Sequence, residues 1–183
     1  MGINRTLIIT STVNVNSNLT YLVDSRERLK QYLESIVFYL SVNALDQIII
    51  CDNSEFDYSK YMPFFDAFSQ KNIECLHFKG NKSLIYEKGK GYGEGEIMEY
   101  VIKNSKLLRS QSAFFKVTGR LVVKNIDKII EKSDIKLNYF QMAGSNPFRN
   151  LKALDTRFYQ CTLSTFSQIF IEEYKSVDDI NNN

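Results

Sequence analysis

The chain has 183 residues, 44% of them hydrophobic and 24% charged, with a formal net charge of +2. That length supports one domain with a real core. The charge is too small, and no basic run long enough, for nucleic-acid binding by bulk electrostatics.

In chain order, Thr6-Leu7-Ile8-Ile9-Thr10-Ser11-Thr12 reads as a buried strand ending in hydroxyl residues. Residues 13–21 are Asn-rich and loop-like. Asp24-Ser25-Arg26-Glu27 has the form of a capping box, followed by Leu29, Tyr32, Leu33, Ile36, Val37 and Leu40 at helical spacing. Residues 47–51 form a second buried strand that ends at Asp52-Asn53-Ser54. Strand, amphipathic helix and strand make a βαβ unit, hence a parallel pair. The pattern then predicts a helix over 58–68, a strand over 73–78, a glycine-rich loop, a helix over 95–108 and a fourth strand over 113–117. Residues 121–123 suggest a short element and 126–131 a short helix. Residues 136–142 and 157–162 read as strands, 166–174 as a closing helix, and 178–183 as a polar tail that frays. No repeat or linker divides the chain. The expected architecture is a single α/β domain over residues 1–177, with a mostly parallel sheet flanked by helices and a tail at 178–183.

No apolar run is long enough to span a membrane, and the N-terminal one is too short for a signal peptide. Cys51, Cys75 and Cys161 are far apart and sit among apolar residues. They read as reduced thiols of a cytoplasmic protein. With one histidine, His77, neither a zinc cluster nor a serine or cysteine triad is supported.

Lys88-Gly89-Lys90-Gly91-Tyr92-Gly93-Glu94-Gly95-Glu96 carries four glycines in seven positions ahead of a helix. Glycines permit close backbone approach, and a helix start presents free N–H groups, so Lys90, Gly91, Tyr92 and Gly93 suit a phosphate or diphosphate. A mobile surface loop is the plainer alternative. The stretch is not a dinucleotide fingerprint, because Glu94 and Glu96 fall where the third glycine is required, and it is not a P-loop. In a parallel sheet, ligands bind beyond the carboxyl ends of the strands. Thr10, Ser11 and Thr12, then Asp52 and Asn53, then Thr118, Gly119 and Arg120 all lie at such ends. Asp52 could accept from a ribose or base, or close an Asx-turn. Lys116 and Arg120 could face phosphates, or Arg120 could pair with a surface carboxylate. Asp155 could serve as a general base, or neutralise Arg157. Tyr92 could stack on a ligand ring or anchor its loop to the body.

The order of these elements resembles the GT-A class of nucleotide-sugar glycosyltransferases over residues 5–178. The opening strand at 7–12, Asp52-Asn53-Ser54 after the second strand, the glycine stretch, Phe114 to Arg120, and Asp155-Thr156-Arg157-Phe158-Tyr159 are similar to segments of bacterial enzymes linked to surface-polysaccharide loci. The resemblance implies a nucleotide-sugar donor and a glycan or lipid-linked acceptor. It implies donor contacts at the residues just named, Arg157 among them. Such enzymes commonly hold Mn or Mg on a D-x-D motif, and no D-x-D occurs here. Its expected place reads Thr118-Gly119-Arg120, which implies metal-independent transfer, with Lys116 and Arg120 neutralising the leaving diphosphate. The family's acceptor-binding part is small or missing after Val177. Two other readings stay open. One is a non-catalytic nucleotide-sugar-binding or partner module of the same fold. The other is a sugar-nucleotide-forming nucleotidyltransferase, whose glycine-rich basic signature after the first strand is replaced here by Ser11-Thr12-Val13-Asn14.

Overall fold

A computed structural model describes residues 4–15, 21–142 and 154–180. Its centre is a six-stranded sheet built from β1 (Thr6–Ser11), β2 (Gln47–Asp52), β3 (Asn72–His77), β4 (Ala113–Thr118), β5 (Tyr139–Met142) and β6 (Leu154–Thr162), in the spatial order β3-β2-β1-β4-β6-β5. The β3–β2, β2–β1 and β1–β4 pairs are parallel, whereas β4–β6 and β6–β5 are antiparallel. β1 and β2 are buried along their whole length, as strands covered on both faces must be.

The helices are α1 (Ser25–Leu40), α2 (Met62–Phe68), α3 (Lys82–Lys88), α4 (Lys90–Asn104) and α5 (Ile126–Lys132). Alternation along the strands splits the core in two. Leu7, Ile9, Ile48, Ile50, Phe115 and Val117 pack with α1, α2 and α5 on one face. Ile8, Ile49, Cys51, Phe114, Tyr159 and Cys161 pack with α4 and the C-terminal segment on the other. Burial pushes the thiol of Cys161 up to about 11, that of Cys75 to about 12, and that of Cys51 higher still.

The N-cap half of the expected capping box is present: the Asp24 carboxylate accepts from the amides of Arg26 and Glu27 at 2.8 and 2.9 Å. Elsewhere the structure corrects the sequence reading. The glycine stretch is not a loop. Only Gly89, at φ 97°, breaks the chain between α3 and α4, and the other glycines lie inside α4. Asp155 and Thr156 lie within β6, with Arg157, rather than ahead of it. Residues 121–123 form no regular element. The closing helix is a short turn at Leu163–Thr165, a π-turn at Phe166–Phe170 and a 3₁₀ turn at Glu173–Ser176. Nor does the tail fray at once, since the Asp179 amide bonds Lys88 O at 2.8 Å and its carboxylate takes the Gly91 amide at 2.7 Å. Among the described residues, no helix is long and apolar enough to cross a membrane.

Candidate functional site

From β1 the sheet grows through β2 and β3 on one side and through β4 on the other. The crevice beyond the carboxyl ends of β1 and β4 is therefore the switch point where such sheets bind ligands. Three groups of expected site residues meet around it, in different states.

The first group is a latch. Ser11 pairs in register with Asp52, which puts hydroxyl and carboxylate on one face. The Asp52 side chain is fully buried. It accepts from the Ser11 and Ser54 hydroxyls and from the amides of Val13, Ser54 and Phe56, at 2.6 to 3.1 Å. This carboxylate shapes the turn that holds Glu55 at φ 63° and presents nothing outward. Thr12 donates to Asn53 Oδ1 at 2.6 Å, and Asn53 Nδ2 donates to Gly93 O at 3.2 Å. The strand ends are thereby tied to α4.

The second group lies on the α4 face. Lys116 is 1% exposed, and its ammonium makes three contacts: Glu94 Oε1 at 2.5 Å, Thr156 O at 2.7 Å and Thr118 Oγ1 at 3.1 Å. Burial pulls its pKa down, and Glu94 opposes that pull. Thr118 and Thr10 donate to the same Glu94 oxygen at 2.7 and 3.1 Å. Lys116 is thus neutralised by a partner within the chain, unlike the free phosphate contact expected of it. Glu94 escaped the sequence reading, where it stood only as an interruption of a glycine motif. Its meaning depends on α4 starting at Lys90, which glycine's poor helix propensity argues against.

The third group faces solvent. Arg120 is exposed, donates to Gln31 Oε1 at 2.9 Å and lies 6.0 Å from the Tyr32 ring centroid, on the α1 side. It and Lys116 therefore lie on opposite faces of the sheet. Near it, the buried Arg28 donates twice to Thr12 O, at 2.9 and 2.6 Å. Gly119 donates to Thr10 O at 2.9 Å, and a Cβ there would fall 2.3 Å from that oxygen. Only glycine lets β1 and β4 close up at the crevice.

Asp155, the expected base, has both oxygens on Arg157, at 2.5 to 3.0 Å. The Arg157 guanidinium holds its carboxyl below the usual range and leaves it no free oxygen to take a hydroxyl proton. Tyr92 is buried, with its ring 5.1 Å from that of Tyr174, so it anchors rather than stacks on a ligand. Gly91 and Gly95 face the C-terminal segment, and Gly93 faces Asn53 and Ile85. Lys90 is exposed at the first position of α4. No glycine of α4 is left as a phosphate cradle.

Between α4, the β5–β6 pair and the C-terminal segment lies a cleft of about 310 Å³, with Lys116 and Glu94 in its lining. Phe140 stacks on Tyr159 with centroids 5.2 Å apart, and Phe170 stands edge-on to Phe140 at 5.7 Å. A divalent ion does not fit the residues after β4. The Thr118 hydroxyl is turned to Glu94, Gly119 has no side chain and Arg120 is a cation. Among the described residues, no three His, Cys, Asp or Glu side chains cluster as ligands would.

No protein-family model matches the sequence, and no curated protein matches it. Solved structures do match. The glycosyltransferase GlyE of Streptococcus pneumoniae TIGR4 superposes over 94% of this chain with a TM-score of 0.57 at 8% identity. A protein of Desulfovibrio desulfuricans G20, assigned as a nucleotide-diphospho-sugar transferase, does so over 96% with a TM-score of 0.52 at 8% identity. The fold is that of the nucleotide-diphospho-sugar transferases. The chain spans 37% of the length of GlyE and 69% of the length of the second protein.

Proposed function

We propose that this chain is a glycosyltransferase domain that takes a nucleotide-diphosphate sugar at the β1–β4 crevice and passes the sugar to a glycan or lipid-linked acceptor. The observation that carries this is the Thr10–Glu94–Lys116–Thr118 cluster. It sits at the switch point of a nucleotide-diphospho-sugar transferase fold, beside a cleft large enough for a sugar ring. In this reading the donor lies beyond Thr12, Asn53 and Gly119, with Arg120 and Arg28 supplying positive charge on the α1 side. Asp52 and Asn53 act by holding the crevice in shape. Surface-polysaccharide assembly is the setting this reading favours, in the cytoplasm, with peripheral membrane contact where the acceptor is lipid-linked.

A thermal-shift series tests it, using nucleoside diphosphates and nucleotide sugars, each with and without Mn²⁺. A ligand that binds only the folded state raises Tm by mass action. One nucleotide family is expected to shift Tm, equally with and without Mn²⁺. No shift at millimolar ligand would remove the donor site from the reading. The absence of a D-x-D and the internal pairing of Lys116 favour one rival, a module that binds the donor without turnover. Tight donor binding with neither transfer nor hydrolysis would select that rival. Pyrophosphate release from a nucleoside triphosphate plus a sugar phosphate would select a nucleotidyltransferase.

A further inference from the structure

Glu94 enters the cleft with one oxygen committed and the other open. Oε1 receives Lys116, Thr118 and Thr10. Among the described residues, Oε2 has no hydrogen-bond partner, and the side chain is 25% exposed in the lining of the cleft. A carboxylate pinned through one oxygen has a fixed direction, and its other oxygen can still accept. Asp155 offers no such oxygen, because Arg157 holds both of its own.

The charge of the floor matters as much as its shape. All three ammonium donors of Lys116 are spent inside the chain, and the Lys116–Glu94 pair sums to zero. A phosphate entering here would have to break a buried ion pair to gain a partner. A neutral hydroxyl meets an open acceptor at no such cost. The walls are rings: Phe140 on Tyr159, with Phe170 edge-on, and Met98 and Leu154 beside them. A sugar ring matches this division, since its C–H faces are apolar and its rim carries hydroxyls.

We propose that this cleft is the acceptor subsite and that it takes a neutral saccharide ring, with one hydroxyl donating to Glu94 Oε2. The proposal rests on the donor reading above for its chemistry, but not for its binding. In the transfer step Glu94 accepts the hydroxyl proton while that oxygen bonds to the anomeric carbon of the donor. The bond from the anomeric carbon to the diphosphate oxygen breaks, and its electron pair leaves on the nucleoside diphosphate. Attack opposite the leaving group inverts the anomeric centre. Thr10, Thr118 and Lys116 act as positioning residues that aim the carboxylate.

The test titrates the full chain with methyl glycosides of neutral hexoses and N-acetylhexosamines, and with the matching sugar phosphates, by saturation-transfer NMR. Two variants accompany it. Glu94→Gln/Lys116→Met removes both charges together, and Phe170→Leu removes one ring while keeping an apolar side chain. A neutral glycoside is expected to bind at millimolar concentration, with the sugar phosphate at least about tenfold weaker. Each variant is expected to weaken the glycoside by about tenfold or more. With a donor from the thermal-shift series, transfer should fall at least ~100-fold in the double variant. If the double variant fails to fold, Phe170→Leu still decides the binding claim. No binding of any neutral glycoside, binding indifferent to the variants, or tighter binding of sugar phosphates would overturn the proposal. Because glycoside binding is read without nucleotide, its failure is distinct from failure of the donor reading.

Discussion

At the residue scale, the side chains at the crevice divide into those that hold it and those that face it. Asp52 holds it, with five hydrogen bonds to a fully buried carboxylate. Asp52→Ala strands those donors in a dry site, at about 1–3 kcal/mol for each one left unpaired. Urea denaturation should therefore show a loss of at least ~3 kcal/mol, and a loss below ~1 kcal/mol would mean that water replaces the carboxylate freely. Lys116→Met leaves Glu94 without its cation and should cost about 3 kcal/mol. The Glu94→Gln/Lys116→Met pair should recover most of that cost, because removing both charges together is far cheaper than removing one. A double-mutant cycle measures this coupling directly. The sequence made Asp52 legible as a residue at a strand end and Lys116 as a cation close to one, and the convergence of the strand ends follows from strand order alone, whereas Glu94 was not legible as a site residue. The direction of each side chain was not legible. Asp52 turns inward because β1 and β2 pair with Ser11 opposite it. Lys116 is silenced by a glutamate more than twenty residues away in the chain.

At the scale of elements, α4 shows why the glycine stretch was misread. Each interior glycine costs a helix about 1 kcal/mol relative to alanine, so local preference starts the helix only near Gly95. Tertiary contact reverses that preference. Gly91 lets Val177 and Asp179 approach, and a Cβ on Gly95 would fall 2.0 Å from Tyr174 Cβ. Gly91 and Gly95 are one turn and a fraction apart, so they form a single flat strip on which the C-terminal segment lies. Tyr174 adds a hydrogen bond to Glu99 at 2.5 Å. Gly95→Ala should unseat this segment, and limited proteolysis should then cleave at Lys175 about tenfold faster. Gly93→Ala meets Ile85 and Asn53 Nδ2 only at 3.2 to 3.3 Å, faces Ile85 and Asn53 rather than the C-terminal segment, and should leave the cleavage rate within about twofold. Equal rates for the two variants would mean that the strip does not seat the segment. The four parallel strands were readable because strand–helix–strand units admit few topologies. The antiparallel β5–β6 pair was seen only as two strand candidates, since nothing in their local pattern fixes direction.

At the scale of the whole molecule, the carboxylates set how stability responds to acid. Asp24, Asp57 and Asp155 are held below their ordinary 3.8, by the Glu27 amide, the Ser59 amide and the Arg157 side chain respectively. Glu99 is held below 4.5 by Lys103 and Tyr174. A carboxyl lowered in the folded state contributes stability above its unfolded value, and that contribution is lost as pH falls through the folded one. Glu96, raised by burial, has the opposite sign and loses its contribution as pH rises above 4.5. Four groups against one give a Tm that is flat between about pH 6 and 8 and falls below about pH 4. A Tm unchanged down to about pH 3 would contradict that balance. The buried thiols carry a further consequence. Alkylating reagents attack the thiolate, and burial keeps Cys51 and Cys161 protonated and out of reach in the native fold. Cys51 lies in the parallel half of the sheet, and Cys161 lies behind the aromatic wall of the cleft. Their alkylation rates, followed by mass spectrometry, therefore time the opening of each half separately, with reporters that the chain already carries.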